Sequence, residues 1–307
     1  MKKKKTFKQR FREDIWYIIF LLPIIVLLFF FVYRPMYGLV IVFQNYRIGS
    51  PILSFDGSIE WVGFRHFTSF MQSIFFRRVA GNTVRLSLLT LFFASWVSLA
   101  AAILLNELRV FWFKRTMQTI YYLPYFVSTV VVISIMNMMM GITGPFSRLS
   151  EFFGGTARNF MNDPAYFDML YVGSGIWQTF GYGSIVYLAA IAGVDPGLYE
   201  AVIVDGGNRW HRIRHATLPY ILPTWIILMI LTIGGLFHAD VLRVLLMYNA
   251  HTMERADIIG TYVYRLGLLH AEYSYTAAVG LFVNIITFGL VFGVNMASRK
   301  LTGHSLW

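Results

Sequence analysis

The sequence predicts an all-α polytopic membrane protein: a bundle of six transmembrane helices with both termini in the cytoplasm. Three observations carry that expectation. The 307 residues are 57% hydrophobic and only 13% charged, with a mean hydropathy of +0.59, whereas a soluble domain carries about 25% charge. Six apolar runs of spanning length occur, at 15–33, 84–105, 118–140, 171–193, 220–238 and 275–297. None shows the alternation of a barrel strand, and backbone inside a bilayer must satisfy its own hydrogen bonds, so each run reads as a helix. Positive charge is also unevenly divided. Segments 1–14, 106–117, 194–219 and 298–307 hold 15 Lys or Arg in 62 residues, while 34–79, 141–170 and 239–274 hold 10 in 112. Positive charge favours the cytoplasmic side, which places the first set of segments inside.

Residues 1–14 read as a basic cytoplasmic tail suited to anionic headgroups. The first span, 15–33, contains Pro23, and with no small-residue cleavage site behind it the reading is an uncleaved anchor. An outer segment at 34–79 carries turn signals at Pro35, Gly49-Ser50-Pro51 and Asp56-Gly57. Within it Trp61, Phe64, Phe67, Phe70 and Met71 recur at near-helical spacing. An interfacial amphipathic helix and a loop packed on the bundle both fit that pattern. From about residue 80 to 300 five spans form one core, followed by a cytoplasmic tail at 301–307. Arg85, near the start of the second span, is expected to snorkel to the outer headgroups. Net charge is +11, but its distribution orients the chain in a membrane, so nucleic acid is not required as a partner. The absence of cysteine excludes disulfides, thiolate metal sites and cysteine nucleophiles.

The segment 194–219 separates two spans and is rich in charge and glycine. Asp195-Pro196 starts a short helix, since the carboxylate can cap free amides and proline tolerates the first helical position. Gly206-Gly207 stops it, and Asn208 can cap a second short helix through Trp210 and Ile213 before Leu218-Pro219 enters the fifth span. Small residues at Ala201, Gly206 and Gly207 permit close approach of another backbone, Glu200 supplies one orienting charge, and Arg209, His211, Arg212, Arg214 and His215 form a basic rim. Taken without its spacing, such a segment also reads as an ordinary capped loop with snorkelling arginines.

The register of Glu200, Ala201, Asp205, Gly206, Leu218 and Pro219 resembles the coupling loop of ABC import permeases. Over nearly its whole length the chain is similar to the permease subunits of carbohydrate-importing ABC transporters of the maltose type, and to their LplB-like oligosaccharide branch. That likeness extends through Leu21-Leu22-Pro23, Tyr33-Arg34-Pro35-Met36-Tyr37-Gly38, Trp61-Val62-Gly63-Phe64 and Asn82-Thr83. Val202 and Gly207 stand where the loop motif has alanine. The resemblance implies a fold like that of type I importer permeases and a loop, 194–219, that docks on an ATPase through Tyr199, Glu200, Ala201, Asp205, Gly206, Gly207, Arg209 and Trp210. It also implies a second, homologous permease forming a heterodimer, two ATP-binding subunits, an extracytoplasmic sugar-binding protein and a location in the bacterial cytoplasmic membrane. This chain has no Gly-x-x-x-x-Gly-Lys-Ser/Thr loop, so no cofactor is expected on it; ATP and Mg belong to the partner ATPases. It reads as a non-catalytic subunit.

By the same resemblance, sugar contacts map to the helices flanking the loop: Trp177, Gln178 and Tyr182 before it, Thr232, Leu236 and His238 after it. Asn137 is a further polar group in apolar surroundings. Each has a plainer reading, as an interfacial anchor or an interhelical hydrogen bond. His238 and Asp240 read as a satisfied surface pair before a metal site. Two alternatives stand beside the sugar importer: a secondary solute transporter, against which no Asp or Glu falls inside an expected span, and an ABC permease for another solute.

Overall fold

The computed structural model describes residues 7–53, 59–237 and 239–303. Helices dominate, and among the described residues there is no strand, only one isolated bridge between Gln44 and Trp61. The chain divides into two compact units, 1–71 with 266–280 and 72–265 with 281–307.

In the first unit, helix α1 (Phe7–Leu28) continues through a π turn at Phe29–Tyr33 and a 3-10 turn at Tyr37–Phe43. The span Ile15–Phe43 is thus longer than the expected 15–33. No residue in its most apolar stretch is buried within the described structure, the condition of a helix solvated by lipid or by another protein. Beyond it, Val62 N donates to the Phe43 carbonyl at 2.8 Å, and helix α2 (Arg65–Gln72) follows. Trp61 lies in the bridge, so the amphipathic helix begins four residues later than its aromatic pattern suggests. Phe43, Phe64 and Phe67 form a ring cluster with centroids 5.5–6.2 Å apart. Phe70 is buried beside Tyr275, while Met71 on the next face is exposed.

The second unit is built on helix α3 (Phe76–Asn106) packed along helix α7 (Pro164–Ala192). Between them in sequence come α4 (Phe111–Tyr122), α5 (Thr129–Met140) and α6 (Pro145–Phe152). The expected third span, 118–140, is therefore not one helix. Pro124 lies in a 3-10 turn, Val127 is extended, and the Ser128 hydroxyl caps α5 by accepting from Val131 N at 3.4 Å. The candidate span of 24 residues runs instead over Thr129–Phe152, α5 and α6 together with the turn at 141–144 between them. Among the described residues five segments are long and apolar enough to cross a membrane, and a sixth is reached when α7 is joined to the short helix α8 (Pro196–Val204), bent from it by 73°.

Small residues bring these helices together, as in other membrane bundles, where close van der Waals packing replaces the hydrophobic drive. A side chain at Gly181 of α7 would collide with the Tyr121 carbonyl at the end of α4, and one at Gly183 would meet Ser98 Oγ at 2.8 Å. Gly173 on the same helix has open space in front of it. Two apolar cores result. One gathers Leu86, Ile133, Phe167, Leu170, Tyr171 and Val244; the other Leu99, Ala102, Tyr187, Ile191 and Ile221. Thirteen residues separate Leu86 from Leu99 on α3, about 20 Å of helix, and the space between the two cores is where the cavity described below opens.

Ionic groups tie the 239–274 connection to α3. Asp257 is fully buried and accepts from both terminal nitrogens of Arg265 at 2.8 Å, from Arg78 at 3.0 Å and from the Thr261 hydroxyl at 2.7 Å. Asn82 Nδ2 donates to the carbonyls of Glu254 and Asp257, both at 2.9 Å. Arg85 departs from its expected place among headgroups. It donates to the Arg255 carbonyl at 2.6 Å and pairs with Asp168, which also binds Arg255 at 2.8 Å. The reason is that α7 starts at Pro164, seven residues before the expected span, and carries Asp168 into reach. That carboxylate is the one acidic residue drawn into this helix, and four residues from its start it lies near the span's end, about 6 Å along it.

Candidate functional site

The loop between α7 and the following span is built largely by its own caps. Asp195 Oδ1 accepts from Gly197 N at 2.9 Å, and Pro196 takes the first position of α8. Gly206 has φ +77°, a left-handed conformation that stops the helix and that other residues resist. Asn208 and His211 form a reciprocal capping box at the start of α9 (Arg209–Arg212). The expectation of a second, separate short helix is corrected at this point. α9 passes through a π turn at Ile213–Thr217 directly into α10 (Leu218–Ile233), so that Arg209–Ile233 is one continuous span. A π turn relieves the ladder of the hydrogen bond that Pro219 cannot donate, which is why the proline does not break the helix.

Two contacts fasten the loop to the bundle. Tyr199 OH meets Thr217 Oγ1 at 3.1 Å, and Arg212 lies 3.9 Å from Glu107 at the end of α3. The 106–117 and 194–219 connections therefore meet at one end of the helices, as a shared membrane side requires. Outward, the loop is bare. Val204 is 86% and Trp210 76% exposed, and Ile203 and Leu198 are also exposed. Glu200, Ala201, Asp205 and Arg209 are solvent-facing, and Glu200 forms no ion pair among the described residues. Gly207 is the exception, since a side chain there would strike the Val202 carbonyl at 2.7 Å; its smallness serves the turn itself.

A cavity of about 460 Å³ opens between α3, α7 and α10. Its wall mixes apolar surface with hydroxyls, including Ser87, Ser98, Thr179 and Thr232, and one ion pair, Asp240–Arg243. Arg243 lies on helix α11 (Val241–Met247), which Asp240 caps by accepting from Arg243 N at 3.0 Å. The Arg243 side chain is 5% exposed. It donates to Asp240 Oδ2 at 3.1 Å, Ser174 Oγ at 2.9 Å and Gln178 Oε1 at 2.6 Å.

The residues expected to touch substrate divide between this cavity and elsewhere. Thr232 and Leu236 line it. Gln178 stands behind it, buried, holding Arg243 and donating from Nε2 to the Val127 carbonyl at 2.6 Å. Trp177 and Tyr182 face outward on α7, Tyr182 stacked on Tyr125 with centroids 4.0 Å apart. Asn137 is exposed on α5, and His238 lies outside the described residues. Arg243 was missed: it pairs with Asp240 at i,i+3 behind the Gly234-Gly235 end of a span, whereas the expected pairing of Asp240 with His238 falls on a residue outside the described ones. No cluster of three or more metal-ligating residues occurs among the described residues.

Comparison with known proteins places this geometry. The family model for the binding-protein-dependent transport system inner membrane component matches residues 94–302. Protein LplB of Bacillus subtilis (strain 168) is 39% identical over 297 residues, 96% of this chain and 92% of that one. The polygalacturonan/rhamnogalacturonan transport system permease protein YteP of the same organism is 37% identical, covering 97% and 92%. Among solved structures, a bacterial ABC transporter involved in the import of the acidic polysaccharide alginate superposes with a TM-score of 0.87 at 34% identity, over 96% of this chain and 98% of that one.

Proposed function

The chain belongs to the family of binding-protein-dependent transport system inner membrane components, and from that premise we propose that it carries oligosaccharides inward through the bacterial plasma membrane, driven through the loop at 194–219. It is a multi-pass permease subunit of an ABC importer and not itself the ATPase. Polysaccharides are the cargo in the names of two similar transporters, which supports a sugar cargo here. Membership of the family also removes the secondary transporter as an alternative.

The observation that carries the mechanism is the exposed loop joined without a break to a span. A helical segment presenting Val204 and Trp210 to water at the end of a membrane bundle is an unsatisfied apolar surface, and burying it against a soluble partner is favourable. Because α9, the π turn and α10 form one helix, a force applied at Arg209 or Trp210 tilts a span that lines the cavity. The 73° elbow before α8 lets the loop move as a lever without bending α7. On this reading Tyr199, Glu200, Ala201, Asp205, Gly206, Gly207, Arg209 and Trp210 form the surface for the ATPase subunits, which supply ATP and Mg. A second permease completes the pathway, and an extracytoplasmic binding protein delivers the sugar.

Co-expression with the cognate ATPase subunits tests the assignment. The wild-type chain is expected to co-purify with them, and Glu200→Arg or Trp210→Ala to lose them while keeping the second permease. Retention of the ATPase by both variants would remove the loop from this role.

A further inference from the structure

Arg243 is the one cation in the wall of a cavity otherwise lined by hydroxyls, apolar side chains and its partner Asp240. A guanidinium has five N–H donors. Three hydrogen bonds account for Nε and one hydrogen on each terminal nitrogen. Two donors remain without a partner among the described residues, on a side chain that is 5% exposed. Two of its three partners, Ser174 and Gln178, are neutral. The third, Asp240, reaches it through Nε only, and its side chain is 41% exposed. Such a charge is incompletely compensated, which is costly in a buried setting.

The surroundings of the arginine are equally unfinished. Ser87 Oγ and Thr90 Oγ1 in the facing wall are buried with no hydrogen-bond partner. At Gly175 a Cβ would stand 3.8 Å from Arg243 Nε, so the glycine leaves that side of the guanidinium uncovered toward the cavity. The volume lies in the range of small-molecule sites. A rigid planar fork with spare donors matches a carboxylate, and hydroxyl groups beside it match a sugar ring.

We propose that Arg243 is a specificity-determining residue of this cavity and binds the carboxylate of an acidic, uronate-containing oligosaccharide, which takes the place of Asp240 on the guanidinium. The proposal rests on the reading that the chain carries oligosaccharides. Asp240 acts as a stand-in that keeps the empty site neutral and gives way to the passing substrate. The site lies away from the coupling loop: Gln178 stands fourteen residues before Ala192, the end of α7, about 21 Å. Substrate recognition and motor docking thus occupy opposite parts of the same helix.

Equilibrium binding to the purified permease pair in nanodiscs tests this, with tetragalacturonate and its carboxyl-reduced analogue galactotetraose as probes. Wild type is expected to prefer the acidic probe by about tenfold or more, the weight of a charge-assisted pair. Arg243→Gln loses that preference, and Arg243→Lys retains part of it. Asp240→Asn keeps the helix cap and removes the competing charge, so it strengthens acidic binding several-fold. A purely structural ion pair predicts the reverse for Asp240→Asn, a weakened binding of the acidic probe, and that result overturns the proposal even where Arg243→Gln fails to fold. Binding of galactotetraose with no preference for the acid overturns it and leaves the oligosaccharide reading standing; binding of neither probe sinks both.

Discussion

Asp257 shows how far a single buried carboxylate organises this protein. It holds Arg78 at the start of α3 and Arg265 in the outer connection, with Thr261 completing its acceptors. Removing it leaves two guanidinium groups facing each other without their anion. Asp257→Ala is therefore expected to destabilise the second unit by about 3–5 kcal/mol, the cost of stripping one partner from a buried pair. A fall in the thermal midpoint of the detergent-solubilised protein checks this, and an unchanged midpoint refutes it. Hydrogen bonding to Asp257 holds the Arg265 guanidinium above its ordinary range. A raised folded value gives stability that is complete below the unfolded value and lost only on going above the folded one. Between roughly pH 6 and 9 the arginine side of this cluster is thus constant. Neither this cluster nor the Arg243 site was legible in the sequence. Near partners such as Asp240 are joined by distant ones, Arg78 lying 179 positions from Asp257 and Gln178 65 from Arg243, and one arginine in a connecting segment looks like any other until a fold brings those distant partners to it.

At the scale of elements the reading divides by the range of the interactions. The start of α8, the stop at Gly206 and the capping box at Asn208 were legible because each is settled within four residues. What followed was not, since the π turn that fuses α9 to α10 depends on absorbing Pro219 within a packed helix. The third span failed for the opposite reason: its apolar run is continuous, while Pro124 and Ser128 locally interrupt the helix. Gly206 offers the direct test of the loop as a shaped element. Gly206→Ala forces a Cβ into a left-handed conformation at a cost of about 1 kcal/mol. Because the loop is surface-exposed, the expected result is a small loss of stability with a larger loss of transport per ATP hydrolysed, measured in proteoliposomes. Equal transport per ATP in the variant would show that the shape of the turn does not matter to coupling.

For the whole molecule, composition was enough to predict helices in a membrane, and the charge asymmetry predicts which ends face inward. The meeting of Arg212 with Glu107 joins two of the segments assigned to one side. Since the chain has no cysteine, Ala201→Cys gives a single reporter on the loop. It is expected to react with a membrane-impermeant maleimide in inside-out vesicles and not in right-side-out ones; the reverse pattern would invert the topology. The exposed first span and the exposed loop leave surfaces that a permease pair and an ATPase can cover.

The most direct measurement is ATP-driven uptake of labelled oligosaccharide by proteoliposomes containing both permeases, the ATPase subunits and the binding protein, with wild type compared against Glu200→Arg. The account predicts uptake that requires ATP and falls to background in the variant, although the permease pair remains assembled. Undiminished ATP-driven uptake by Glu200→Arg, or uptake by the permeases with no ATPase present, would contradict it.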